Sequence, residues 1–419
     1  MNRTIRQIAL CVALAVMALG SAILRQQRTE GGSKVPHEVN AALETITSED
    51  LLRHVKILAS DEFEGRAPGT KGEELTVNYL VEQFKQFGLK AGNSDGTYIQ
   101  KVPLVGITSE SAASFAVGGK KIDLRSPGDY VAISPEFTPE VTMNDSDIVF
   151  VGYGIVAPEY GWDDYKGAAM RGKTLLMLSG EPEIQDPGDP TKLDEKMFKG
   201  RAMTRYALGS YKWDGAAEKG VAAVMIVHEN KLGAYPYASL VHELSHELTY
   251  LKKSGKNIRP VAASSFITLD GAKRLISAGG QDLETLRRAA LSKDFRPVPL
   301  EVKASFHIKN RLRELQSRNV IALCEGSDTN LRREYVIYTA HWDHLGRDEK
   351  LTGDQIYNGA IDNASGTAAL LEIANAFMRM KAITQALDPI PRDDGGRSRA
   401  ARREVLYQSA TLPAQPDAG

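Results

Sequence analysis

Cysteine is scarce in this chain, and neither sign of charge is in excess. Its 419 residues contain only Cys11 and Cys324, which leaves little room for a disulfide framework or a thiolate metal cage. With 52 Lys and Arg against 53 Asp and Glu, the formal net charge is −1. No field of one sign attracts phosphate backbones or anionic lipid over a distance, so we expect no nucleic-acid partner. The length favours two domains.

The most apolar run lies at the N-terminus. Two arginines precede the apolar residues 8–19, and small residues follow at 20–22, which is the order of a secretory signal. We therefore predict a signal peptide over residues 1–24 and an exported protein, periplasmic or secreted. The alternative is an uncleaved membrane anchor, because apolar residues continue to Leu24. In either case Cys324 is expected to be a buried core thiol.

The chain after this segment divides by pattern. Residues 25–46 are polar and contain glycine and proline, as a linker does. Helical spacing then predicts helices over 49–58 and 73–87, with Gly88 ending the second. Runs of strand type with few helices between them predict a β-rich inserted domain over residues 120–290. The strand-type runs lie at 148–155, 174–178 and 222–227.

Beyond the insert, one segment carries side chains suited to chemistry. Residues 338–346 read YTAHWDHLG after a short apolar strand, and 357–366 read YNGAIDNASG before a helix that Ser365 is expected to cap. His341 and Asp362 thus end neighbouring elements, where open α/β sheets bind ligands. Imidazole and carboxylate suit zinc, and Asp343 can hold the His341 ring from outside. The alternative is that His341 is an ordinary polar residue at a strand end.

These motifs resemble those of the exported co-catalytic zinc aminopeptidases of the aminopeptidase Y and aminopeptidase S type, which are clan MH zinc exopeptidases. That family has HxDH-L-G followed by N-G-A-x-D-N-A-S-G, and both halves are present. Residues 58–70 are similar to its N-terminal signature, L-A-S-D-x-x-x-G-R-x-x-G-T, and the insert resembles its protease-associated domain. The resemblance implies removal of N-terminal residues from peptide substrates.

The resemblance also assigns roles and boundaries. His341 would ligate the first of two zinc ions, Asp362 would bridge both, and Asp343 would act as the catalytic residue that orients His341. The peptidase domain would comprise residues 47–119 and 291–384 around the protease-associated insert. The implied fold is α/β, a mostly parallel sheet flanked by helices, incomplete at its C-terminal edge.

The family pattern breaks off after Lys381. The family continues with an apolar strand, a Glu-Glu pair supplying the general base and a second zinc ligand, and later an acidic ligand and a final histidine. Residues 385–419 contain no histidine and show no strand or helix period. Read one base later, synonymous codons from Gln385 permit KRSILFLVTTAEEVGLLGGKYF, a strand with the missing pair. We therefore predict a frameshifted tail, weak or partial zinc binding, and an inactive chain. The alternative for the tail is natural divergence, and the alternative for the function is a non-catalytic remnant whose insert still binds peptides.

A rival zinc motif lies inside the insert. His242, Glu243 and His246 fit HExxH, in which two histidines one helical turn apart bind zinc and the glutamate acts as base. No glycine or histidine follows at metzincin spacing, and no glutamate stands about twenty residues on as a third ligand. The less specific interpretation is a surface helix.

Overall fold

The computed structural model describes residues 37–230, 236–252, 261–326, 334–386 and 403–409. The predicted signal peptide or anchor lies outside the described residues, as does most of the tail. Within the described ranges, no helix combines the length and the apolar character that crossing a membrane requires.

The helices begin and end where local chemistry favours it. The Thr47 side chain accepts a hydrogen bond from the Asp50 amide and caps the second helix, while Thr70 caps the third. Gly88, at φ 85°, ends the third in the left-handed conformation that glycine adopts easily. Among the described residues, the α-helices are α1 (His37–Leu43), α2 (Ser48–Leu58), α3 (Lys71–Phe87), α4 (Gly209–Glu218), α5 (Tyr237–Leu244), α6 (Leu269–Ala278), α7 (Leu283–Ala289) and α8 (Ser365–Ala386).

The strands assemble mainly into one large sheet. In chain order the described strands are β1 (Lys90–Ala91), β2 (Ile99–Val117), β3 (Lys120–Ile122), β4 (Tyr130–Ile133), β5 (Glu140–Phe150), β6 (Val156–Ala157), β7 (Trp162–Asp163), β8 (Thr174–Leu178), β9 (Gln185–Asp186), β10 (Asp189–Leu193), β11 (Ala223–His228), β12 (Leu248–Leu251), β13 (Ala263–Thr268), β14 (Val298–Cys324), β15 (Tyr335–His341), β16 (Gly346–Arg347), β17 (Ile356–Tyr357) and β18 (Arg403–Ser409). The path of the large sheet runs β12-β2-β14-β5-β8-β11-β13-β4, with further strands pairing beside it.

The sheet is mixed, which corrects the expectation of a mostly parallel one. The 27-residue strand β14 pairs antiparallel with both β2 and β5. Among the strands that the structure describes, the parallel pairs lie in the run β5-β8-β11-β13 and between β15 and β18. The physical reason is that the chain enters and leaves the β-rich region along two adjacent strands, β2 and β14, which must then run in opposite directions.

The apolar core forms distinct clusters along this sheet. The largest lies in the β-rich region and includes Phe115, Ile148 and Ile308. Another lies between α3, α8 and the end of β14, and it contains Trp342 together with the buried Cys324, as predicted for that thiol. Because β2 and β14 run through both regions, the boundaries at 120 and 290 stay a prediction.

One strand comes from the tail. β18 lies between β14 and β15, antiparallel to the first and parallel to the second, with Ser409 opposite His341. The expectation that residues 385–419 contain no strand is therefore wrong for 403–409. The physical reason is that hydrogen-bonded pairing with a strand on each side can stabilise a short strand whose own sequence pattern is weak.

Candidate metal centre

His341 ends β15 and is held by the residue two positions on. Its Nδ1 lies 3.2 Å from the backbone oxygen of Asp343 and 3.3 Å from the carboxylate Oδ1 of that residue. The hydrogen bond with the Asp343 side chain raises the pKa of His341. Since both contacts are to acceptor oxygens, the proton sits on Nδ1 and the lone pair of the neutral ring sits on Nε2.

The free side of the ring faces Asp362. Nε2 of His341 lies 3.3 Å from Oδ1 of Asp362. Two ligands of one tetrahedral zinc ion, with bonds of about 2.1 Å, stand about 3.4 Å apart, so this pair has the spacing of common ligands. The structure thus brings together His341, Asp343 and Asp362, while their individual roles stay predictions.

A second histidine joins the same carboxylate. Nδ1 of His344 lies 3.3 Å from Oδ2 of Asp362, so the carboxylate contacts one ring with each oxygen. Sequence analysis gave His344 no role, although it stands in the HxDH motif. Burial lowers the pKa of His344. The donor set around Asp362 is therefore two imidazoles and one carboxylate, which suits zinc.

The turn before α8 is fixed to the end of β15. The side-chain amide of Asn363 and the hydroxyl of Thr367 both donate to the backbone oxygen of His341, at 3.2 and 3.0 Å. The other end of the Asn363 side chain accepts from the Gly366 amide. Ser365 was expected to cap this helix, but its hydroxyl instead donates to the backbone oxygen of Ile361, so Asn363 takes the capping contact.

Close packing at the site requires a glycine. Gly359 has φ 59°, and a Cβ there would lie 2.4 Å from the Asp362 backbone oxygen and 2.6 Å from Cδ2 of His344. Both approaches are impossible for a real side chain, so the segment can pass the His344 ring only with glycine at this position.

The segment 58–70 contributes a buried cation to the site. Its 3-10 helix, Asp61–Arg66, ends in an arginine that is fully buried. Arg66 donates from Nε to the Trp342 backbone oxygen at 2.8 Å and from its other nitrogens to Asn358 and Gly359 at 2.7 and 2.9 Å. One guanidinium thereby fixes both site segments.

The HExxH motif forms a second cluster. His242 lies on α5 and His246 follows its end, with ring centroids 4.3 Å apart. Asp348 lies against both: its Oδ2 is 3.3 Å from Nε2 of His246 and 3.9 Å from Nδ1 of His242. Sequence analysis missed Asp348, because no local pattern links it to a helix so distant along the chain.

The comparisons with known proteins point to the same segment. Residues 319–388 match the model of peptidase family M28. This stretch is similar to a peptidase family. It contains His341, Asp343 and Asp362, so the match covers the residues that the geometry brings together. None of the curated proteins matches the chain.

The solved structures that match this chain include three peptidases. An aminopeptidase from Aneurinibacillus sp. strain AM-1 is 19% identical, with 89% of this chain and 64% of that chain covered and a TM-score of 0.37. A zinc aminopeptidase from Bacillus subtilis is 16% identical, with 86% and 60% covered and a TM-score of 0.33. A peptidase M28 precursor from Shewanella amazonensis SB2B is 15% identical, with 89% and 67% covered and a TM-score of 0.38. The chain thus spans about two thirds of their length.

Proposed function

We propose that this chain derives from an exported zinc aminopeptidase that removes N-terminal residues from peptides. The observation that carries the proposal is the 3.3 Å contact between Nε2 of His341 and the Asp362 carboxylate. The match of residues 319–388 to peptidase family M28 supports it independently. The β-rich region would act as a protease-associated domain, and the N-terminal segment as an export signal.

The residues around the site have separate tasks in this proposal. A bound zinc pair would supply Lewis acidity to polarise the scissile carbonyl. Asp343 keeps the His341 proton on Nδ1 and so leaves Nε2 available as a ligand. Arg66 holds the backbone on which His341 and Asp362 stand, and burial lowers its pKa to about 10, so it stays charged at neutral pH.

The strand beside the site lacks the groups that the reaction needs. Where β18 is level with His341 it has Ser409, and its glutamate, Glu404, lies opposite Val336 at the other end of the pairing. No general base or further ligand therefore comes from this strand at the level of the site. We expect weak zinc binding and little peptidase activity from the chain as written.

The frameshift proposal explains this deficit. The strand read one base after Gln385 ends in Glu-Glu, and parallel pairing in the position of β18 would bring its carboxyl end beside His341. Restoring the frame should therefore add a base and a ligand. The test is to make the one-base correction, purify the product, count its zinc by elemental analysis, and assay aminoacyl chromogenic substrates.

The expected result is zinc-dependent hydrolysis that His341→Ala abolishes, against background turnover by the chain as written. A corrected chain that binds no zinc and cleaves nothing would contradict the proposal. Peptide binding without turnover in either form would favour the non-catalytic remnant. Turnover by the chain as written that is lost in His242→Ala but kept in His341→Ala would favour a zincin using His242, Glu243 and His246.

A further inference from the structure

We propose that His242, His246 and Asp348 form a separate zinc site, which ties helix α5 to the β16–β17 ribbon. The site is independent of the proposed aminopeptidase centre, because it shares no residue with it. Its three donors lie within 4.8 Å of one another. Two imidazoles and a carboxylate with one open position are a donor set that tetrahedral zinc accepts.

The orientation of Asp348 is the first argument. Its side chain is buried, and Oδ1 accepts a hydrogen bond from the Lys350 amide at 2.9 Å. The other oxygen, Oδ2, is the atom that faces both rings. A backbone contact on one oxygen therefore aims the second at the space between the histidines.

The proton on His246 is the second argument. Its Nδ1 contacts the backbone oxygen of His242 at 2.5 Å, and a carbonyl oxygen can only accept, so Nδ1 carries the proton. In the neutral ring Nε2 then has a lone pair, which faces the Asp348 carboxylate at 3.3 Å. Two acceptors opposed at this distance are joined by a shared cation, which is either a proton or a metal ion. Within the part of the chain that the structure describes, this buried Nε2 has no hydrogen-bond partner.

The third argument is the outer contact of His242. Its Nε2 lies 2.8 Å from the hydroxyl of Tyr357, on the side of the ring away from Asp348. In each histidine, one ring nitrogen thus contacts an oxygen other than those of Asp348. The other ring nitrogen faces Oδ2 of Asp348. Ligating histidines in metal sites are usually held in this way. The rings are about one third exposed, so an ion can enter.

The position of the cluster gives it a structural task. β16 and β17 pair with each other, and their chain continues to His344 on one side and to Asn358 on the other. Zinc at this cluster would therefore link the β-rich region to the two segments that carry the candidate centre. We expect it to stabilise this arrangement.

The test uses the full chain stripped of metal and then titrated with zinc chloride alone. We expect one zinc per chain at this cluster and a rise of a few degrees in the melting midpoint, both kept in His341→Asn. Asp348→Asn, which keeps the Oδ1 acceptor, and His246→Asn should each weaken this binding at least tenfold and remove the rise. His307→Asn is the matched control, since His307 is an exposed histidine outside both clusters.

An intermediate variant guards against misfolding. Tyr357→Phe leaves all three ligands in place and should weaken zinc by a smaller factor, with an unchanged melting midpoint in the absence of metal. The proposal is overturned when Asp348→Asn and His246→Asn, folded by circular dichroism, bind zinc as the parent chain does. It is equally overturned when the His341→Asn chain shows no zinc-dependent shift, because that shift is assigned to this cluster alone.

Discussion

Arg66 donates a hydrogen bond from Nε to the backbone oxygen of Trp342, between an N-terminal 3-10 helix and the residue after the predicted ligand His341. The same side chain reaches Leu58, Asn358 and Gly359. A buried cation that donates to four carbonyl oxygens is costly to remove, because each orphaned oxygen costs about 1–3 kcal/mol.

Arg66→Met should therefore lower the free energy of unfolding of its domain by at least about 3 kcal/mol, measured by urea denaturation. Arg66→Lys should recover part of this, since lysine keeps the charge but cannot span four oxygens. Arg53→Met is the control, because Arg53 is exposed and its ion pair is with Asp50 on the same helix, and it should change stability by under about 1 kcal/mol. Equal effects of the two Met variants would contradict the assigned role of Arg66.

Gly65 is the contact point between this 3-10 helix and the ribbon. It has φ 66°, and a Cβ would lie 2.4 Å from the Gly346 oxygen and 2.6 Å from the Tyr357 oxygen. Gly65→Ala should cost about 3 kcal/mol, because about 1 kcal/mol of left-handed strain is added to the steric overlap. Gly96 is the control, because it has φ 81° and a Cβ there would have no atom within 4 Å. Gly96→Ala therefore adds the left-handed strain without the steric overlap. Equal losses of thermal stability in Gly96→Ala and Gly65→Ala would contradict the close approach of Gly65 to the ribbon.

The insert boundary can be tested with two fragments. Residues 120–290 omit β2 and β14, which contribute Phe115 and Ile308 to the main apolar cluster. A fragment of residues 103–316 keeps the mutually paired parts of both strands, 103–117 and 302–316, together with the pairing of β2 to β12. We expect cooperative thermal unfolding from the longer fragment and none from the shorter one. Cooperative unfolding of 120–290 would instead support the boundaries predicted from the sequence.

The burial of Lys212 makes the stability of the folded chain depend on pH. It is buried on α4, where Nζ donates to the Tyr153 backbone oxygen at 2.5 Å, and burial lowers its pKa to about 7. Between pH 7 and its ordinary pKa of about 10.5, the unfolded chain holds a proton that the folded chain has lost. Stability from this group therefore rises with pH, by up to about 1.4 kcal/mol per unit.

Lys212→Met isolates this effect. The difference in unfolding free energy between the parent chain and the variant should shift in favour of the parent from pH 7 to pH 9.5, in urea titrations at constant ionic strength. A difference that stays constant, or moves towards the variant, would show that Lys212 keeps its proton in the folded state.

Local signals explain the part of the fold that the sequence predicts. The helix over 73–87 and its end at Gly88 are confirmed within α3, and the run 174–178 is β8 with the same bounds. The continuous pairing of β2 with β14 was not predicted, because sheet register depends on partners far apart in sequence. For the same reason the contacts of Arg66 with Trp342 and of His246 with Asp348 were missed.

The site itself was predicted more fully than the sheet, since its residues lie in two short motifs. His341, Asp343 and Asp362 come together because β15 and the turn before α8 are neighbours in the fold. His344 was within the same motif but received no role. The geometry adds it through its contact with the second oxygen of Asp362.

Zinc titration of the candidate centre shows whether His341 and Asp362 hold a metal ion together. In an Asp348→Asn background, which removes the second cluster, elemental analysis and calorimetry would follow zinc binding with and without His341→Asn. We expect weak residual binding that His341→Asn or Asp362→Asn lowers at least tenfold, while Asp354→Asn, an acidic change on the same segment, leaves it unchanged. Residual binding that is absent, or that is identical with and without His341 and Asp362, would contradict the account.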